Sequence, residues 1–176
     1  SGISSKNYNF DVQNYNSKLL EKINNAEIIF FLLQNDSKTK FIKKNSNLIF
    51  NLFQNLECIN SKKIIYISTT SQFSNNYLSM HLKRENIVKK HSNQNYLILK
   101  IPSIYGADSI KKNNFGINGF INFAKKNKSI DLKNSGLNIR NHLYMYDFLN
   151  ILNKILKYNL CGTHILPYGE KISFLK

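Results

Sequence analysis

The stretch YISTTSQFSNNYLSMHLKRENIVKK, from Tyr66 to Lys90, decides the fold. A short apolar run ends in hydroxyl-bearing residues, a brief loop follows, and apolar residues then recur at helical spacing. The stretch is therefore predicted to be a buried strand followed by a helix over Asn76–His91. Tyr77 stands at the start of that helix, and His81 follows one turn later on the same face. A tyrosine in this position raises the question of an active site.

Strands and helices alternate along the whole chain. Three short runs are apolar on both faces, as strands of a covered parallel sheet are: Glu27–Leu33, Lys63–Ser68 and Tyr96–Ile101. Amphipathic segments accompany them, one over Asn45–Asn60 and another that begins at Asp147, which is placed as a helix N-cap. The alternation predicts an α/β fold, a Rossmann-like parallel sheet with flanking helices.

One part of a dinucleotide-binding sheet is missing from this sequence. Such a sheet starts with a strand and a glycine-rich turn whose backbone amides hold a pyrophosphate. The chain has seven glycines, and none of them lies between Gly2 and Gly106. The first strand and the glycine-rich loop are therefore expected to be absent, either because the chain is cut from something longer or because the protein never had the loop.

The net charge of +15 is less informative than its size suggests. It comes from 23 lysines and only two arginines, beside 28 asparagines, and the lysines form no basic stripe. Nucleic-acid sites favour arginine, so a residue bias is the preferred explanation and a nucleic-acid-binding domain remains an alternative. No apolar run reaches the roughly 18 residues of a membrane span, and no signal pattern is present, so we expect a cytoplasmic protein. Cys58 and Cys161 match no metal spacing and are predicted to be buried.

Several motifs carry a resemblance. YLSMHLKRENIV, which contains Tyr77, resembles Y-x-x-x-K-L-x-x-E-x-I-V, and KKIIYISTTSQF resembles a strand that ends in two or three Ser/Thr. NSNLIFNLFQN (Asn45–Asn55) resembles N-x-x-G-T-x-N-L-L-E-A, LKIPSIYGAD (Leu99–Asp108) resembles L-R-x-x-N-V-Y-G-P, and LNIRNHLYMYDFLNIL resembles R-D-F-I-x-V-x-D-L. In this order and spacing they resemble the extended short-chain dehydrogenase/reductase family, the NAD-dependent epimerases and dehydratases that act on nucleotide sugars. The chain resembles a truncated or divergent member.

The resemblance implies hydride chemistry at a sugar carbon, with NAD or NADP as cofactor and a nucleotide sugar as substrate. The implied catalytic residues are Tyr77 as the acid/base, Thr70, Asn45, and His81 in the place of the family's lysine. The implied cofactor-binding residues are Asp11, Leu32, Leu33, Gln34, Tyr77, His81 and Pro102. The implied substrate-binding residues are Thr70, Ser103 and Arg140.

The exchange of lysine for His81 bears directly on the chemistry. A tyrosine ionises near pH 10 and is a poor base at neutral pH unless a nearby cation lowers its pKa. Histidine is mostly neutral at pH 7, so His81 would lower that pKa less than lysine would. The alternative is that Tyr77 merely packs at the helix start and that His81 is a partly exposed helix residue. For Arg140, the alternative is an ordinary surface arginine.

These expectations combine into a single α/β domain, with residues 1–107 as a truncated NAD-binding core and residues 108–176 as a substrate-side segment. The predicted function is that of an NAD(P)-dependent epimerase, dehydratase or reductase of a UDP-, dTDP- or GDP-sugar. A non-catalytic nucleotide-sugar-binding or interaction module derived from that family is the alternative. A homodimer is one assembly that the resemblance allows, and neither a metal site nor a membrane partner is expected.

Overall fold

The structure is a computed structural model that describes residues 21, 23–31, 62–70, 76–106, 116–127, 139–166 and 172–173. For residues 76, 116, 127, 139, 140, 172 and 173, it describes the backbone. The predicted helix over Asn45–Asn60 lies outside these ranges.

The described residues form both strands and helices, as the predicted α/β fold requires. In chain order they are β1 (Ile28–Phe31), β2 (Lys63–Thr69), α1 (Asn76–His91), β3 (Tyr96–Ile101), β4 (Ser103–Tyr105), α2 (Gly116–Asn127), β5 (Ile139–Arg140), β6 (His142–Tyr144), α3 (Met145–Lys157), β7 (Gly162–Ile165) and β8 (Ile172–Ser173).

The main sheet has the strand order β1-β2-β3-β7. β1 runs parallel to β2, with Ile28 opposite Lys63 and Phe31 opposite Tyr66. Both faces of β2 and β3 are covered, because neighbouring residues in each strand are buried. This is the doubly covered sheet that the sequence predicts.

β1 is less covered than its sequence predicts. Ile28 and Phe30 are 36% and 38% exposed, while Phe31 is buried. β1 stands at the end of the described strand order, so only one neighbouring strand flanks it there. The residues that follow it in the predicted strand, 32 and 33, lie outside the described part of the chain.

Helix α1 has the predicted bounds, and its end has a local cause. Asn93 and Gln94, just beyond the helix, have positive φ angles of 44° and 64°. Asparagine tolerates this left-handed conformation better than most residues. The backbone therefore turns directly from α1 into β3, where the Asn95 amide bonds back to the Ser92 carbonyl.

The predicted N-cap of helix α3 is wrong. The helix begins at Met145, its N-cap is Tyr144, and that cap makes no side-chain hydrogen bond. The reason is that β6 runs straight into the helix without a loop, so the helix starts two residues before Asp147. Asp147 lies instead in the first turn, where the helix dipole favours a negative charge.

Two compact units divide the chain: Ser1–Lys100 with Cys161–His164, and Ile101–Leu160 with Ile165–Lys176. In the second, β4 pairs in parallel with β6, and β5 pairs antiparallel with β8. Leu143 is fully buried there, and the predicted apolar stripe of α3 buries Phe148 and Ile155. The division of a single domain at residue 107 remains a prediction.

Further observations concern membrane-spanning helices, metal ligands and the two cysteines. None of the helices in the described ranges is long and apolar enough to cross a membrane. Within those ranges, no group of three His, Cys, Asp or Glu residues could hold a metal ion. Cys161 is exposed, so the prediction that it is buried is wrong. It lies at the surface, directly before β7. Cys58 lies outside the described residues.

Candidate active site

The candidate site lies where β2 ends and α1 begins. Tyr66 and Ser68 are two residues apart in β2, so they lie on the same face of the strand. Both are buried and both contact α1 through hydrogen bonds. Thr70, two residues beyond Ser68, directly follows the strand and is partly exposed. The hydroxyl-rich end of the predicted strand is thus beside the predicted helix.

Helix α1 turns a polar face toward this strand. Tyr77, His81 and Glu85 follow at intervals of four residues, so they lie on one side of the helix. Tyr77 is 37% exposed, whereas His81 and Glu85 are 5% and 3% exposed. The buried side of a helix is ordinarily apolar, but the buried side of α1 carries ionisable groups.

His81 is held between two tyrosines. Its Nδ1 lies 2.6 Å from the hydroxyl of Tyr66, in a buried hydrogen bond. Its ring packs edge-on against the ring of Tyr77, with the centroids 4.6 Å apart. The alternative of a partly exposed His81 is wrong, because β2 and Tyr77 cover the ring.

The electrostatic setting keeps His81 uncharged. Burial, and after it the nearby charge of Arg84, lower the pKa of His81 from 6.5 to about 4, against the opposing effect of the Glu85 carboxylate. At pH 7 the imidazole is therefore neutral. Burial also raises the pKa of Tyr66, so that phenol keeps its proton.

Glu85 is the second buried contact between α1 and the sheet. Its Oε1 accepts a hydrogen bond of 2.5 Å from the Ser68 hydroxyl. Its Oε2 lies 2.9 Å from Nζ of Lys100, on β3. The buried carboxylate is thus both paired with a cation and hydrogen-bonded, as a charge in a protein interior must be.

Arg84 is the less satisfied neighbour. It is fully buried and close enough to the Tyr66 phenol to lower the pKa of that group, but its three guanidinium nitrogens make no hydrogen bond of good geometry in the described part of the chain. It is one of only two arginines in the sequence. Its fixed positive charge next to His81 is one reason why the histidine does not take up a second proton.

The structure brings together some of the predicted site residues. Tyr77 and His81 are in direct contact, and Thr70 follows the strand that holds His81 in place. No hydrogen bond joins Thr70 to Tyr77 among the described residues. In the second compact unit, Pro102 is buried, Ser103 opens β4 and is exposed, and Arg140 contributes its backbone to β5. The remaining predicted residues lie outside the described ranges: Asp11, Leu32, Leu33, Gln34 and Asn45.

Sequence reasoning missed Tyr66, Ser68 and Lys100 as parts of the site. A signal for the first two existed, because polar residues at every second position of an apolar strand share one face. Lys100 carried no signal, since it is one lysine among many. The burial of Arg84 was also missed, because an arginine in a lysine-rich helix is normally solvent-exposed.

Similarity to known proteins is found at the level of the structure. A scan against protein-family models finds no match, and a search of curated proteins finds none either. Among solved structures, a UDP-N-acetylglucosamine 4-epimerase from Bacillus cereus matches with a TM-score of 0.69 at 20% identity, over 88% of this chain and 62% of that one. The chain has the fold of the nucleotide-sugar epimerases and dehydratases.

Two more matches have the same fold. An ADP-L-glycero-D-manno-heptose-6-epimerase from Helicobacter pylori matches with a TM-score of 0.72 at 21% identity, over 91% of this chain and 59% of that one. A UDP-glucuronic acid 4-epimerase from Bacillus cereus, in complex with UDP-glucuronic acid and NAD, matches with a TM-score of 0.70 at 17% identity, over 91% and 60%. The chain thus spans about 60% of the length of these structures, and the likeness establishes the fold.

Proposed function

We propose that this chain belongs to the extended short-chain dehydrogenase/reductases and takes part in NAD(P)-dependent epimerisation, dehydration or reduction of a nucleotide sugar. One observation carries the proposal: Tyr77 lies on the first turn of α1, 37% exposed, and its ring packs against His81, which stands at the position of the family's lysine. The shared fold supports the same conclusion.

The residues of the site divide the work of a hydride transfer. When bound, NAD(P) supplies the hydride acceptor or donor. Tyr77 takes the proton from the sugar hydroxyl or returns it, while Thr70 holds that oxygen in place. Asn45 assists, as the resemblance implies. By the resemblance, His81 would donate a hydrogen bond to the cofactor, and Asp11, Leu32, Leu33, Gln34 and Pro102 would be further cofactor-binding residues.

The described residues fit one part of such a cofactor. Nε2 of His81 is buried and has no hydrogen-bond partner in the described part of the chain, and a hydroxyl of the cofactor's ribose is a group that would satisfy it. The sequence offers no glycine-rich turn for the pyrophosphate. We therefore propose ribose recognition by this chain without strong pyrophosphate binding.

The substrate side is assigned to Arg140, with Ser103. A guanidinium presents a planar fork of N–H donors to two oxygens of a diphosphate, whereas a lysine ammonium acts as a point charge. UDP-, dTDP- and GDP-sugars all carry that diphosphate, so Arg140 would bind any of them. Arg140 belongs to residues 108–176, the proposed substrate-side segment of the domain, whereas Ser103 comes from the segment before it. A homodimer is the assembly that the resemblance allows.

Arg140→Ala tests the substrate assignment. We expect it to weaken nucleotide-sugar binding by roughly 1.5–3 kcal/mol, the range of a hydrogen bond to a charged group. Titration calorimetry with UDP-glucose, UDP-glucuronic acid and a dTDP-sugar measures the change. Lys154→Ala, which removes an exposed cation from α3, is the matched control. If both variants bind as the parent does, Arg140 is an ordinary surface residue.

A second candidate function is a non-catalytic nucleotide-sugar-binding or interaction module. The observation that favours it is the neutral state of His81, because a site without the lysine cation stabilises a tyrosinate less. Such a module would bind nucleotide sugars and lose that affinity in Arg140→Ala, but it would show no turnover with any of them. The binding and turnover assays together therefore separate the two functions.

A further inference from the structure

The two ring nitrogens of His81 are in different situations. Nδ1 lies 2.6 Å from the Tyr66 hydroxyl, whereas Nε2, equally buried, has no partner among the described residues. A buried polar atom without a partner is rare in folded proteins and calls for an explanation. The hydrogen bond between Tyr66 and His81 offers that explanation, because it decides which ring nitrogen carries the proton.

The position of the protons follows from the chemistry of the two groups. A neutral imidazole carries a proton on one nitrogen and accepts at the other. The buried phenol of Tyr66 retains its proton, and Nδ1 of His81 is the acceptor within hydrogen-bond distance of its hydroxyl. If Nδ1–H were the donor instead, the phenol hydrogen would need a second acceptor, and the described residues show none. We therefore take the phenol as the donor, which leaves Nδ1 unprotonated and puts the ring proton on Nε2.

We propose that Tyr66 is a positioning residue that holds His81 in the Nε2–H tautomer, so that the ring offers one uncharged hydrogen-bond donor to a hydroxyl oxygen of a bound nucleotide. The proposal rests on the proposed function for the identity of the ligand. In this arrangement a neutral hydrogen-bond donor takes the place of the cation that a lysine would supply. The direction of the donor is fixed, because the Tyr66 hydrogen bond and the Tyr77 ring restrict the imidazole from two sides.

The charged groups around His81 are consistent with this role. Arg84 and Glu85 face it from α1, Lys100 from β3, and the phenols of Tyr66 and Tyr77 from β2 and α1. The buried cation of Arg84 opposes protonation of the ring, while Glu85 is already occupied by Ser68 and Lys100. None of these groups competes with Tyr66 for Nδ1.

Nitrogen-15 NMR of the imidazole side chains in the full chain tests the assignment directly. We expect the parent to show Nε2 protonated and Nδ1 unprotonated at pH 7. Tyr66→Phe removes only the hydroxyl, so the Nδ1–H tautomer should become populated. The midpoint of His81 should also rise by about one pH unit, a tenfold gain in proton affinity, because the lost hydrogen bond stabilised the neutral ring. Tyr96→Phe, a matched change at the start of β3, should alter neither signal.

Two results would overturn the proposal. One is an Nδ1–H tautomer in the parent, which decides the matter even if circular dichroism shows that Tyr66→Phe does not fold. The other is an unchanged tautomer and midpoint in a folded Tyr66→Phe. If the proposed function also holds, kcat/KM should fall about tenfold in Tyr66→Phe and not in Tyr96→Phe. An absence of turnover in every variant contradicts the proposed function and leaves the NMR result to stand by itself.

Discussion

His81 occupies a position on α1 where its ring loses contact with water while Tyr77, one turn earlier, keeps part of its surface exposed. The two rings touch, but only the tyrosine is also in contact with solvent. An uncharged ring behind it confers shape and one hydrogen-bond donor, not charge. His81 therefore supplies Tyr77 with no fixed positive charge.

Stability should fall as His81 becomes protonated. The pKa of the ring is about 4 in the folded protein and 6.5 in the unfolded chain, so the unfolded chain binds more protons between these values. The contribution to the free energy of unfolding is complete above about pH 7 and is lost as the pH falls to 4, by about 3 kcal/mol in all. Urea unfolding at a series of pH values measures this loss.

His81→Gln should flatten that dependence between pH 4.5 and 7, because glutamine does not titrate. His164→Gln, which changes a histidine bonded to the Cys161 carbonyl in β7, should keep the dependence of the parent. An equally steep loss of stability in His81→Gln would show that the ring is not the group responsible.

The identities of these residues could be predicted from the sequence, but their environments could not. The spacing of Tyr77 and His81 puts them on one helix face, and the structure agrees. The burial of His81, however, depends on Tyr66, which lies on another element and fifteen residues away. A helical pattern describes neighbours within the helix and does not say what the strand presents to it.

At the scale of elements, a buried polar seam joins α1 to the sheet. Ser68 on β2 and Lys100 on β3 bind the two oxygens of Glu85 on α1. Apolar residues such as Met80 and Val88 cover the rest of that helix face. The seam fixes the rotation of the helix, and hence the direction in which Tyr77 and His81 point.

Ser68→Ala should destabilise the protein by roughly 1.5–3 kcal/mol, because it removes a buried hydrogen bond to a carboxylate. Chemical denaturation measures the loss. Ser79→Ala is the matched control, since Ser79 lies on the exposed side of α1, the helix that carries Glu85. It should change the stability by less than about 0.5 kcal/mol. Equal effects of the two variants would mean that the seam contributes nothing.

Element bounds were predictable where the pattern was local. The strand over Tyr96–Ile101 and the helix over Asn76–His91 were predicted to the residue, because apolar runs and helical spacing end there together. The start of α3 was missed because β6 passes into the helix without a turn, which leaves no loop signal before Met145. The exposure of β1 depends on what flanks a strand, and that is a property of the sheet.

At the scale of the whole molecule, the matches to solved structures of larger enzymes cover about 90% of this chain and about 60% of those chains. The fold was predicted from alternation and motif order. The reaction and the sugar could not be, because they depend on atoms around the substrate and not on the order of strands.

Cofactor affinity is predicted to be low for the 176-residue chain. No glycine-rich turn is present in its sequence to hold the pyrophosphate, and His81 offers one neutral hydrogen bond in place of a cation. Titration calorimetry with NAD and NADH should show weak binding or none. Micromolar binding by this chain would contradict the expectation and would require another pyrophosphate site.

The central claim is that Tyr77 is the proton carrier, and turnover by Tyr77→Phe tests it most directly. The assay uses the protein at its full natural length with NAD(P) and a panel of nucleotide sugars, across a range of pH. The account predicts activity that is low at pH 7 and rises toward alkaline pH, because neutral His81 lends no charge to a tyrosinate. It also predicts no turnover in a folded Tyr77→Phe, normal turnover in Tyr96→Phe, and a rise at lower pH in His81→Lys. Turnover by Tyr77→Phe as fast as that of the parent would contradict the claim.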